Sequence, residues 1–163
     1  MQAHQSGKNI EYSGSEVTEG FVEACRSSFP DLKFFHRDLA QELPTDRYDY
    51  LVLAGTLYHL HDCSEQEFQT MAESLLINSF AMARRGIAFN LVTDYVSYRH
   101  EDLFYWSISQ MLDFVLGSLS RFFTIDHCSP LFEHTVCVYK EDFIASKYEE
   151  SAFDKYFSGR SMG

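Results

Sequence analysis

Short runs of β-branched and aromatic residues alternate with helix-spaced segments along this chain, and its last two such runs follow each other with no helix between them. Alternation of this kind predicts a mainly parallel sheet with helices on both faces, because a parallel pair needs a crossover and the crossover is usually a helix. The final two runs predict an antiparallel pair. From the N-terminus the strand candidates are Ile10 to Ser13, Leu32 to Phe35, Tyr48 to Ala54, Ile87 to Val92, Phe122 to Asp126 and His134 to Tyr139. The third is apolar from Tyr50 onward without alternation, the pattern of a strand covered on both faces.

The helical segments carry their own punctuation. Val17 to Ser28 places Phe21, Val22, Cys25 and Phe29 along one face, with Thr18 as N-cap and Pro30 as the stop. Ser64 and Glu67 form a capping-box pattern ahead of Phe68, Met71, Ala72, Leu75 and Leu76. Arg84-Arg85-Gly86 reads as a basic last turn with a glycine stop. Ser107 and Gln110 repeat the box before Ile108, Met111, Leu112, Val115 and Leu119, after a tyrosine-rich loop from Thr93 to Trp106. The segment from Glu141 predicts a terminal amphipathic helix through Phe143, Ile144, Tyr148, Phe153, Tyr156 and Phe157. With 163 residues, 45% of them hydrophobic, the chain has material for one core, divided here as a domain at 1–140 and a tail at 141–163.

Charge narrows the partners. Thirteen basic against 24 acidic residues give a net charge of −11, a field that repels polyanions, so no nucleic acid is expected. A small neutral or cationic molecule, or a protein, suits it better. Cys25, Cys63, Cys128 and Cys137 form no C-x-x-C pair, which argues for inert thiols. His59, His61 and Asp62 are metal-ligand types, but their spacing is common and no metal is expected. MQAHQSGKN has no apolar signal core and no run is long enough to cross a bilayer, so the expectation is a cytoplasmic protein with no membrane partner.

Four motifs in order carry a resemblance to a known family: Tyr12-Ser13-Gly14-Ser15-Glu16-Val17-Thr18, Phe34-Phe35-His36-Arg37-Asp38-Leu39, Tyr48 to Leu57, and Tyr58-His59-Leu60-His61-Asp62. Together with the terminal strand pair they resemble class I, Rossmann-like S-adenosylmethionine-dependent methyltransferases over roughly residues 9 to 140. The resemblance begins at that family's second strand. It implies S-adenosylmethionine as cofactor, with Glu16 on the ribose hydroxyls, Val17 on the adenine face, and Asp38 and the Leu39 amide at the adenine edge. Ala54 and Gly55 would leave room at the sulfonium. Acceptor-side positions would be Tyr58, His59, Tyr95 and Tyr98, with His59 or a tyrosine as a base; no catalytic residue is assigned. Each position also has a plain structural reading: Glu16 as an acid beside a helix N-terminus, Asp38 as a turn residue, Gly55 as a tight turn, Phe104 and Trp106 as loop aromatics packed on the sheet.

The family's first strand ends in a glycine-rich turn, and this sequence contains no G-x-G. That strand would lie between the family's second and fourth strands, at the sheet's centre. Without it the two facing edges keep unpaired N–H and C=O groups, at about 1–3 kcal/mol for each group left buried and unsatisfied. Three outcomes follow: the two edges close on each other, a second copy or partner chain donates a strand, or the sequence is truncated, which is the reading favoured here. The expected function is a methyltransferase for a small molecule, incomplete as given; the alternative is a non-catalytic module of the same fold that pairs with a partner subunit. A nicotinamide-dependent dehydrogenase ranks last, since it also needs a glycine fingerprint and leaves the antiparallel ending unexplained.

Overall fold

The computed structural model describes residues 10–148 and 150–157. Its strands are β1 (Ser13–Glu16), β2 (Lys33–His36), β3 (Tyr48–Leu53), β4 (Ala83–Val92), β5 (Phe123–Asp126) and β6 (Glu133–Tyr139). Its helices are α1 (Glu19–Ser28), α2 (Glu65–Met82), α3 (Ile108–Phe114) and α4 (Glu141–Ala145), with a π-helical turn at Val115–Leu119 and a 3-10 turn at Ser151–Tyr156. The mixed α/β architecture and the closing antiparallel pair are those the alternation predicts.

The strands form two separate sheets. β1 pairs with β2 in parallel, Ser13 opposite Lys33 through Glu16 opposite His36. The other sheet has the order β3-β4-β6-β5, parallel between β3 and β4 and antiparallel elsewhere. Among the described residues β1 and β3 each therefore keep one edge without a ladder partner, and the two edges have not closed on each other.

The core lies between the larger sheet and α2, α3 and the loop before α3. Phe68, Ala72 and Leu76 from α2 meet Phe89 and Leu91 of β4, Val136 and Val138 of β6, and Phe104, Trp106 and Met111. Phe104 and Trp106 are buried, so the packed reading of those loop aromatics is correct. The capping box at Ser64 and Glu67 is complete, Glu67 N–H donating to Ser64 Oγ at 3.3 Å and Ser64 N–H to Glu67 Oε2 at 2.9 Å.

Five local expectations change. α2 ends at Met82 and β4 starts at the next residue, so Arg84, Arg85 and Gly86 are strand residues rather than a helix stop. At Gly86 the added Cβ of any other residue would press on the Val138 carbonyl oxygen and sit 3.2 Å from Tyr139 Cα, so this glycine serves close strand approach. β1 begins three residues later than expected and contains Gly14, against which the Phe34 ring is packed. Thr18 is the N-cap of α1 as expected, and what differs is that its side chain makes no capping bond. β3 is not covered on both faces: Val52 is 71% and Tyr50 47% exposed, beside the edge that lacks a strand. The terminal helix resolves into two short pieces, with Phe143 against Tyr50 and Tyr139, and Phe157 stacked on Phe122 at 5.8 Å.

Replacing Gly86 by Ala should force β4 from β6 and cost about 1–3 kcal/mol. Gly20 in α1 has open space around it, so Gly20→Ala should instead stabilise by about 0.5–1 kcal/mol. Urea denaturation of both variants checks the opposite signs.

Candidate functional site

Two groups of polar side chains stand at the carboxyl ends of strands. The first is on the small sheet. Glu16 and His36 are the last register pair of β1 and β2, so Glu16, Val17, Asp38 and Leu39 share one rim. Glu16 Oε1 accepts from Thr18 N–H at 2.9 Å, which satisfies a donor at the start of α1, while its other oxygen has no partner among the described residues. Val17 is 58% exposed. Asp38 accepts one local bond at each oxygen, from Ala40 N–H at 2.8 Å and Gln41 Nε2 at 2.7 Å. Its turn reading accounts for both oxygens.

The second group is at the exit of β3. Gly55 adopts φ +71°, a left-handed turn that favours glycine. Its N–H donates to Asn90 Oδ1 at 2.9 Å. The same amide's Nδ2 donates to Tyr58 Oη and, at 3.0 Å, to Glu133 Oε2. Tyr58 Oη in turn donates to Glu133 Oε2 at 2.5 Å. Burial, and then the Glu133 carboxylate, push the Tyr58 phenol far above its usual range, so it stays protonated and acts as a donor, not a base. Sequence reasoning named Gly55 and Tyr58 but missed Asn90 and Glu133. The available signal was Asn90 itself, a residue type depleted in strands inside an otherwise apolar run.

Among the described residues no hydrogen bond joins the two groups directly. Arg37, just past β2, donates to Ser15 Oγ at 2.9 Å, Asp46 Oδ2 at 2.6 Å and Tyr48 Oη at 3.3 Å. That anchors the first rim at the entry of β3, whereas Gly55 is at its exit, about 20 Å further along an extended chain. Ala54 is exposed beside Gly55. Leu39 sits nearer the far end of α2, its carbonyl accepting from Asn78 Nδ2 at 2.8 Å.

The other acceptor-side positions are dispersed. His59 is exposed, bridges to Leu103 and has its ring 5.8 Å from that of His61; among the described residues no cluster suited to a metal ion occurs. Tyr95 and Tyr98 are 72% and 65% exposed.

With this geometry in view, the likeness to solved proteins is informative. No family model and no curated protein matches the sequence. Solved structures do match. Magnesium protoporphyrin IX methyltransferase from Synechocystis PCC 6803, with bound SAM, aligns at TM-score 0.53 and 15% identity over 78% of this chain and 58% of that one. The fold is that of the Rossmann-like methyltransferases. DhpI, in a complex with SAM and HEP, shares this methyltransferase fold at TM-score 0.56 and 19% identity, over 82% of this chain and 71% of its own. The S-adenosylmethionine-dependent methyltransferase SibL, in its apo form, aligns at TM-score 0.58 and 8% identity, over 79% of this chain and 42% of that one. The chain thus spans less than two thirds of the Synechocystis protein.

Next to the second group, His134 is buried with neither ring nitrogen partnered among the described residues. Burial and then nearby His127 lower its pKa, against a smaller opposing pull from Asp94. A histidine held neutral in the fold takes up a proton more readily when unfolded, so stability should fall as pH drops below about 6.5. His134→Phe should flatten that slope in thermal denaturation scans between pH 7 and pH 5.

Proposed function

We propose that this chain is the nucleoside-side and acceptor-side part of an S-adenosylmethionine-dependent methyltransferase acting on a small molecule, working once a further strand joins β1 to β3. The observation that carries the reading is the strand arrangement itself. Two parallel pairs each have a free edge, and a parallel strand between them would bond to both and bring the Glu16 rim level with the Gly55 rim. Ligands of open α/β sheets bind beyond the carboxyl ends of the strands, where both groups lie.

The residues present fit the cofactor in part. Glu16 has an open carboxylate oxygen for a ribose hydroxyl, and exposed Val17 offers an apolar face for adenine. Asp38 already accepts one bond at each oxygen, so an adenine amino group would share an oxygen with Ala40 N–H or Gln41 Nε2. Nothing in the sequence supplies the glycine-rich turn for the methionine end. When bound, the cofactor supplies an activated methyl group; the chain's task is to align the acceptor with it.

A second reading, a non-catalytic module that pairs with a partner subunit or a second copy, is favoured by the exposed Tyr50 and Val52 at the free edge of β3. Sedimentation that shows only monomer would remove the second copy, and methyl transfer by the chain once the missing strand is supplied would remove the non-catalytic module.

Adenosine at millimolar concentration should shift the amide resonances of Val17 and Leu39 in 15N-labelled protein, saturably, and Glu16→Ala should weaken that response several-fold. Unmoved resonances would sink the nucleoside assignment. Calorimetry with S-adenosylmethionine should show no micromolar binding by the chain alone; a micromolar isotherm would mean that no further strand is needed.

A further inference from the structure

Glu133 begins β6 opposite Val92, the last residue of β4, so it stands on the same rim as the Gly55 turn. Its two oxygens are treated differently. Oε2 accepts from both Tyr58 and Asn90, while Oε1 has no partner among the described residues. No described cation pairs with it either, since the ion pairs present involve Lys33, Arg37 and Arg85. Asn90, locked by Gly55 N–H, and Tyr58, held protonated, fix the carboxylate's orientation without neutralising its charge.

Leu131 and Phe132, just ahead of Glu133, are 60% and 50% exposed, and the Phe132 carbonyl accepts from Thr93 N–H at 2.9 Å. That bond brings the start of the Tyr95 loop alongside. An oriented half-buried carboxylate keeps one oxygen open to solvent beside exposed apolar side chains, where a ligand's hydrogen-bond donor can take the place of water.

We propose that Glu133 is the recognition carboxylate for a small molecule with an apolar body and an O–H or N–H donor, held by Oε1. The inference rests on the methyltransferase reading in taking that molecule to be the methyl acceptor, and it narrows the acceptor class to donors, excluding carboxylates and phosphates at this position by charge repulsion.

Phenol, anisole and benzoate share a ring and differ in donor and charge, so they separate the possibilities. Titrated into 15N-labelled full chain, phenol should shift the Asn90 side-chain amide and the Gly55 amide saturably, at least fivefold more tightly than anisole or benzoate. Glu133→Gln should remove the preference for phenol over anisole while the Gly55 resonance stays in place. If that variant unfolds, Glu133→Asp, which keeps the charge but withdraws it, should weaken phenol binding less. Equal binding of the three probes, or a phenol preference that survives in Glu133→Gln, overturns the proposal. Adenosine shifts at Val17 and Leu39 report the methyltransferase reading independently, so equal binding of phenol, anisole and benzoate by the unsubstituted chain with those shifts intact condemns only the Glu133 assignment.

Discussion

β4 is hydrogen-bonded along both of its edges, in parallel to β3 and in antiparallel to β6 over the stretch from Gly86 to Val92. A strand in that position must satisfy its backbone within the sheet and bury side chains on its faces. Ala83, Ile87, Phe89, Leu91 and Val92 are accordingly buried, and Gly86 is without a side chain where β6 comes closest. Asn90 is the exception, and it is tolerated because its amide is saturated from three directions by Gly55, Tyr58 and Glu133. The polar rim is thus tied to the strand on which the core depends.

The opposite flank obeys a different constraint. β1 and β2 satisfy each other but leave one edge of β1 free, and β3 does the same towards them. Arg37 spans the junction, bonding to Ser15 on one side and to Asp46 and Tyr48 on the other. A guanidinium with three directed partners is a substitute for a ladder in anchoring, not in register. It fixes the small sheet against the entry of β3 and leaves Val52, Tyr50 and Val17 facing outward. The same apolar side chains that make those residues good strand formers stay exposed when no strand lies between the sheets.

The alternation of strands and helices, the first capping box and the hairpin ending were legible because each rests on local physics: period, cap chemistry and turn residues. Phe104 and Trp106 were legible as packed aromatics for the same reason. Arg84-Arg85-Gly86 misled because a basic pair with a glycine has two physical uses, ending a helix or allowing close strand approach, and only the neighbour across the ladder decides between them. Glu16 and Asp38 carried two readings each; the bonds to Thr18, Ala40 and Gln41 show their local work, which no motif conveys. Glu133 was illegible because its partners are 43 and 75 residues away in sequence. Such a contact exists only once β6 has paired with β4.

The state of Tyr58 settles what the rim can do chemically. Burial, and then the neighbouring Glu133 carboxylate, raise the Tyr58 phenol well above its usual range, so the proton in their short hydrogen bond stays on Tyr58. Asn90 adds a second donor and no charge. The cluster therefore presents one negative charge towards the carboxyl rim of β3 and β4, in a chain already at −11. The overall charge disfavours anions near this rim, and the local carboxylate can accept a hydrogen bond. That agreement between overall charge and a single oriented side chain makes the chemistry of the rim more specific than the fold it sits on.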